Sequence, residues 1–107
     1  MYEYTARLLR VVDGDTIYVE VDLGFTIKME IELRLEGVNT PEMKTPEGPP
    51  AKQVTVDWLA QYDSLIIETE KDKKEKWGRY LAVVWPPDKS APSLNALLIG
   101  RGWTYQE

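Results

Sequence analysis

Residues 25–35 read Phe25-Thr26-Ile27-Lys28-Met29-Glu30-Ile31-Glu32-Leu33-Arg34-Leu35, apolar at every odd position and polar at every even one. Successive side chains of a strand point to opposite faces, so this run predicts a strand with one apolar and one charged face. It continues into Glu36-Gly37-Val38-Asn39-Thr40-Pro41-Glu42. An arginine near the end of the strand is thus followed by a glycine break and a tight loop. The loop carries an amide, a hydroxyl and a carboxylate. A cation followed by a cluster of oxygen donors is suited to holding a metal beside a phosphate.

Working outward, Gly24 turns the chain back to residues 16–23, where Ile17, Val19, Val21 and Leu23 share a face. Asp13-Gly14-Asp15 separates that run from another at residues 5–12, and Asp-Gly between two β-rich runs signals a tight hairpin. Three strands joined by short turns predict an antiparallel meander with one buried face. Downstream, residues 43–50 have loop composition, and Pro49 and Pro50 suit the first turn of a helix. Ala51, Val54, Trp58, Leu59 and Tyr62 then follow helical spacing, giving an amphipathic helix over 50–62 packed on the meander. A fourth strand is expected at 65–69, a charged turn at 71–76, and a fifth strand at 80–85 closed by Pro86 and Pro87. Ser93 can cap a second helix carrying Leu94, Leu97 and Leu98, and Gly102 is placed to end it. The pattern is that of a mainly β (α+β) chain: a five-stranded Greek-key barrel of the OB type with two helices. With no repeat or linker, residues 1–107 read as a single domain.

Composition narrows the chemistry. The chain has no cysteine and no histidine. Disulfides, thiolate metal sites, Ser-His-Asp hydrolysis, imidazole acid–base catalysis and most zinc sites are therefore closed to it. Catalysis is left to carboxylates, lysine, tyrosine, arginine or a hard cation bound by oxygen. The net charge of −5 argues against a broad basic surface for duplex nucleic acid, though not against a small basic pocket in an acidic shell. No stretch reaches membrane-spanning length, and the first residues lack a basic segment followed by an apolar run. The expectation is a cytoplasmic chain, or a secreted one if a leader was removed.

Four polar signals stand out: Asp13-Gly14-Asp15, Arg34, Asn39-Thr40-Pro41-Glu42 and Gly78-Arg79. Each has a bland explanation. Asp-Gly-Asp is most often only a turn, Arg34 can pair with Glu32 or Glu36, and the other two are ordinary loops. Together they carry more. The first hairpin closes at Asp15 and the third strand ends at Arg34 and Asn39, so a five-stranded barrel can bring them to one rim. There, carboxylate and carbonyl oxygens suit calcium, two arginines can clamp a phosphodiester, and Glu42 can deprotonate a water.

These segments resemble the staphylococcal nuclease (thermonuclease) family. The resemblance is carried by Val12 to Thr16, by Arg34 to Glu42, by Lys76-Trp77-Gly78-Arg79-Tyr80-Leu81-Ala82, and by Leu94 to Leu98 with Gly102. It spans roughly residues 5–105, with the motifs in family order. It implies an OB-fold phosphodiesterase that uses calcium to cleave DNA and RNA, leaving 3′-phosphate ends. By the same resemblance Asp15, Asn39 and the Thr40 carbonyl would bind calcium. Glu42 would be the general base, and Arg34 and Arg79 would hold the scissile phosphate. Asp13 and Thr16 would support these groups, and Lys76 and Trp77 would contact the terminal phosphate and a flanking nucleotide.

The chain also departs from the family pattern. Asn39 stands where the best-known member has aspartate, which removes one charge from the calcium site and lowers the expected affinity. Trp77 replaces a tyrosine, exchanging a hydroxyl for a ring that can stack on a base. The loop after Glu42 is shorter, and no third C-terminal helix follows before Glu107. The acidic composition implies weak, distributive binding to single-stranded or frayed substrate, and a monomer is the separate expectation. The rival expectation is a catalytically weak or inactive module on the same barrel that binds nucleic acid or a protein partner, its metal binding damaged by Asn39. Retention of Arg34, Glu42 and Arg79 counts against it.

Overall fold

A computed structural model of the chain describes residues 2–74 and 79–104, the side chains of 71–74 excepted. Five strands form a closed barrel: β1 (Tyr2–Asp13), β2 (Thr16–Gly24), β3 (Ile27–Leu35), β4 (Leu65–Lys74) and β5 (Tyr80–Trp85). Their order around the barrel is β1-β2-β3-β5-β4, with β4 closing on β1. Every seam is antiparallel except that between β3 and β5. Helix α1 (Gly48–Leu59) joins β3 to β4, and α2 (Leu94–Gly100) follows β5. This is the expected OB-type barrel with two helices. No helix among the described residues is long and apolar enough to cross a membrane.

The alternation predicted for the meander builds the core. Ile17, Val19, Leu33 and Leu35 are fully buried and meet Leu65, Ile67, Val84, Leu94 and Leu98. Arg34 and its neighbours on the alternate positions face away from that core, and among them Thr16 is itself buried at 1% exposure. The pattern fails at the far end of the β2–β3 hairpin, where Leu23, Ile27 and Met29 are exposed and Phe25 is 95% exposed. Alternation fixes which residues share a face, but among the described residues nothing packs over that part of it. The turn there has Gly24, Phe25 and Thr26 all at positive φ, which puts two residues with side chains in a region that usually favours glycine.

Other boundaries shift. β1 begins at Tyr2 rather than residue 5, because its first residues pair with β4 (Tyr2 with Thr69, Tyr4 with Ile67). The charged residues 71–74, expected as a turn, continue β4; Lys74 pairs with Tyr80 after a register shift beyond Thr69. A ladder needs only backbone groups, so charged side chains do not stop it. Pro49 and Pro50 do occupy the first turn of α1. The Ser93 hydroxyl accepts from the Ala96 N–H as expected of a cap. Gly102 ends α2 at φ +91°, with the N–H groups of Gly102 and Trp103 bonded back to Ile99 and Leu98.

Asn95 locks the barrel. Its amide oxygen accepts from the Val84 N–H at 3.0 Å, and its NH2 donates to Glu36 O (2.9 Å) and Ala82 O (3.0 Å). It is 4% exposed. Asn95→Ala should destabilise the fold by about 2–3 kcal/mol, since it takes the side-chain partner from the buried Val84 N–H and from the Glu36 carbonyl, while Ala82 O keeps the Glu36 N–H. Chemical denaturation would check this, and a loss below about 0.5 kcal/mol would contradict the locking role.

Candidate active site

The rim at which β1 turns into β2 is tied together by Asp15. Its backbone carbonyl accepts from the Leu35 N–H at 2.9 Å, joining the turn to the end of β3. Its carboxylate forms an ion pair with Arg34, and the two side chains are only 7% and 12% exposed. The same carboxylate accepts from the Thr40 N–H (3.1 Å) and the Thr16 hydroxyl (3.2 Å). Thr16 in turn accepts from Arg79 Nη1 at 3.4 Å. A buried carboxylate, two arginines and the Thr40 backbone are thus brought into one connected group from the β1–β2 turn, the start of β2, the end of β3, the loop after it and the residue preceding β5. Arg34 pairs with Asp15 rather than with Glu32 or Glu36.

Gly14 is not in the left-handed turn conformation that an Asp-Gly hairpin would lead one to expect. It is required by crowding. A Cβ placed there would lie 2.7–2.9 Å from the Cγ2, Oγ1 and Cβ atoms of Thr40. The glycine lets the loop after β3 settle directly onto the first turn. From the other side, the Thr55 hydroxyl of α1 donates to Gly14 O at 2.7 Å.

Asn39 and Glu42 share this loop but differ from Asp15 in exposure. The Asn39 residue is exposed, while its N–H donates to Trp103 O at 3.0 Å. A bridge between Val38 and Thr104 anchors the same stretch. The Glu42 side chain is 70% exposed and pairs with Lys44 at 3.3 Å. Its backbone is fixed by Gly48, where an added Cβ would fall 2.1 Å from Glu42 O. Glu42 follows Thr40 by two residues, but among the described residues its carboxylate is paired with Lys44 and takes no part in the Asp15 hydrogen-bonded group. Lys76 and Trp77 lie outside the described residues.

Asp13 and Asp15 are electrostatically unlike. Burial, then the neighbouring Asp15 carboxylate, pushes Asp13 up to about 6. Burial also acts to raise Asp15, but hydrogen bonds from Asp13, Arg34 and Thr40 and the Arg34 charge outweigh it and hold Asp15 below the usual carboxylate range. A raised folded-state value means that the stability from Asp13 is fully present below the unfolded carboxylate range and lost as pH rises through about 6. In the presence of a chelator, the Tm advantage of Asp13→Asn over the parent should therefore grow between pH 4 and pH 7. A constant difference across that range would contradict the shift.

The donors at this rim are compatible with a hard cation. Asp15 offers a carboxylate, Asn39 an amide oxygen and Thr40 a carbonyl, all oxygen and all suited to calcium. The Thr40 hydroxyl is a buried polar atom with no hydrogen-bond partner among the described residues, so this part of the rim has unspent oxygen capacity. Among the described residues no group of three or more carboxylates or other charged ligands gathers at one point. The set fits calcium in kind, and as a weak site in charge.

The family profile described as "Staphylococcal nuclease homologue" matches residues 32–106, well over half of the chain. The chain belongs to the staphylococcal nuclease family. It is 35% identical over 88 residues to a thermonuclease of Staphylococcus hyicus, covering 78% of this chain and 49% of that protein. It is 33% identical over 85 residues to a thermonuclease of Staphylococcus intermedius, covering 75% and 48%. A micrococcal nuclease of Shigella flexneri is 28% identical over 112 residues, covering 97% and 60%. The chain thus spans about half to three-fifths of the length of these relatives.

The sequence singled out Asp15, Arg34 and Arg79, and the structure brings these three into one connected group. Sequence reading missed the residues that position them. Thr55 had a usable signal, a hydroxyl on the apolar stripe of a helix between Ala51 and Trp58. Gly48 and the Trp103 carbonyl had none, because their roles depend on contacts distant in sequence.

Proposed function

We propose that the chain is a calcium-dependent phosphodiesterase that hydrolyses DNA or RNA and leaves 3′-phosphate ends. The observation that carries this reading is the Asp15 group, in which one buried carboxylate connects, through Thr16 and directly, to two arginines at the rim of a staphylococcal nuclease barrel. Asp15, Asn39 and the Thr40 carbonyl would hold the cation, which when bound supplies positive charge beside the phosphate. Arg34 and Arg79 bind the non-bridging phosphate oxygens through their paired N–H donors and stabilise the charge that grows on them. Glu42, exposed to solvent, accepts a proton from the water that attacks phosphorus. The bond to the 5′ oxygen breaks, that oxygen takes a proton from solvent, and phosphate remains on the 3′ side. The net charge of −5 disfavours tight non-specific binding, which supports single-stranded or frayed polymer as substrate.

A second reading, a binding module on the same barrel, is favoured by one fact: Glu42 pairs with Lys44 rather than joining the Asp15 group. Incubation with heat-denatured DNA separates the two. Calcium-dependent loss of polymer that a chelator stops supports the enzyme; intact single-strand binding without cleavage at millimolar calcium supports the module. Asn39→Asp adds a charged ligand and should tighten calcium binding on the order of threefold to tenfold, read by calorimetric titration. An unchanged calcium affinity would remove Asn39 from the ligand set.

A further inference from the structure

The outer face of the meander extends beyond the Asp15 group. Along β2, Thr16 and Tyr18 alternate with the buried Ile17 and Val19, and the register pairs Thr16 with Arg34 and Tyr18 with Glu32. Tyr18 therefore stands on the same face as Arg34, one side-chain repeat, or roughly 7 Å of strand, farther along. On its other flank Tyr18 is paired with Arg10 of β1. The Arg10 guanidinium lies over the Tyr18 ring, 4.3 Å from its centroid. The Tyr18 hydroxyl donates to Glu32 at 3.3 Å, which holds the ring from the opposite side.

The cations of this face differ in how they are neutralised. Arg7 bonds both oxygens of Glu20, at 3.0 and 3.4 Å, and Lys28 approaches the same carboxylate at 3.9 Å. Arg34 is paired with Asp15. Arg10 is exposed and has no carboxylate partner among the described residues. Stacking engages only the flat face of a guanidinium, leaving its N–H donors directed outward in the fork that matches a phosphate. The ring also limits the conformations of Arg10 before any ligand arrives, which reduces the entropy lost on binding.

We propose that Arg10, held on the Tyr18 ring, is a second phosphate contact. It would bind the backbone of a nucleotide flanking the scissile phosphate as a single strand crosses the β1–β2–β3 face. This rests on the nuclease reading, since it takes its direction from the phosphate held at Arg34 and Arg79.

The test measures binding of a mixed-sequence single-stranded oligonucleotide across a salt series. It also measures cleavage of that oligonucleotide and of a dinucleoside monophosphate, which has no flanking phosphate. Arg10→Ala should weaken oligonucleotide binding about fivefold at low salt and flatten the dependence of log K on log salt by about 0.7, the loss of one single-strand phosphate contact. Cleavage of the dinucleoside monophosphate should stay within about twofold, because the scissile phosphate is still held by the two site arginines. Arg7→Ala, which removes a cation already neutralised by Glu20, should leave the slope unchanged. Arg10→Lys should keep the slope but lose part of the affinity, because the charge remains and the fork does not. An unchanged slope in Arg10→Ala, with the parent binding normally, overturns the proposal and leaves the nuclease reading standing. A parent that binds without cleaving removes the nuclease reading, and the slope comparison still decides Arg10. A parent that neither binds nor cleaves overturns both.

Discussion

Glu42→Gln should abolish most cleavage of heat-denatured DNA, lowering kcat by about 10²–10⁴-fold, the usual contribution of a positioned general base. The glutamine keeps the size and hydrogen-bonding reach of the side chain but cannot take a proton at neutral pH. Stability should be nearly unchanged, because the side chain is 70% exposed and its ion pair is with the exposed Lys44. Exposed pairs of that kind contribute about 0–1 kcal/mol. Binding of the single strand should survive as well, since neither arginine is touched. The three readouts together are diagnostic: lost turnover, retained fold and retained binding. A variant with full activity would show that Glu42 is not the base and that some other group at the rim takes the proton.

Arg34→Met should produce the opposite combination, a large loss of stability together with the loss of activity. Arg34 neutralises Asp15 at a site where the side chains are 12% and 7% exposed. Removing one partner of a buried pair leaves an unpaired charge, and such changes cost about 3–5 kcal/mol. The lower end applies, because the Thr40 N–H and the Thr16 hydroxyl still bond the Asp15 carboxylate. On the proposed reading, calcium would supply a positive charge at the same carboxylate. The stability gap between Arg34→Met and the parent should therefore narrow as calcium is added, while activity does not return. Combining the change with Asp15→Asn should recover much of the stability without calcium, since the orphaned charge is gone. A gap indifferent to calcium would argue against Asp15 as a ligand. A single variant as stable as the parent would argue that the ion pair contributes nothing to the fold.

The sequence made some of this architecture easy to read and concealed the rest. Strict alternation from Phe25 to Leu35 identifies the strand, its apolar face and the position of Arg34 at its end. It could not show that Phe25, Ile27 and Met29 lie uncovered, because burial depends on what packs above a face and not on the face itself. The Asp13-Gly14-Asp15 signal located the hairpin correctly but for another physical reason. Gly14 is needed for the approach of Thr40, a residue on a different loop, and not for a left-handed turn. Asp15, Arg34 and Arg79 were legible because their motifs are local. The clamps that hold them, Thr55 on Gly14, Gly48 under Glu42 and the Trp103 carbonyl on Asn39, join segments far apart in the chain. So does Asn95, which stood within a motif without a role until its three hydrogen bonds were seen.

The parallel seam gives the site a kinetic dependence. β3 and β5 meet through Leu33 with Tyr80, Arg34 with Leu81 and Leu35 with Ala82, so the two arginines enter from opposite sides of that junction. Hairpins such as β1–β2–β3 close small loops and form early, whereas this junction must bring together segments separated by α1 and β4 and bears a larger loop-closure cost. Local opening of the seam would leave the meander hydrogen-bonded while separating Arg79 from Thr16 and Asp15. Amide protons bridging β3 and β5 should then exchange before those between β1 and β2, and activity should disappear with the first class rather than the second.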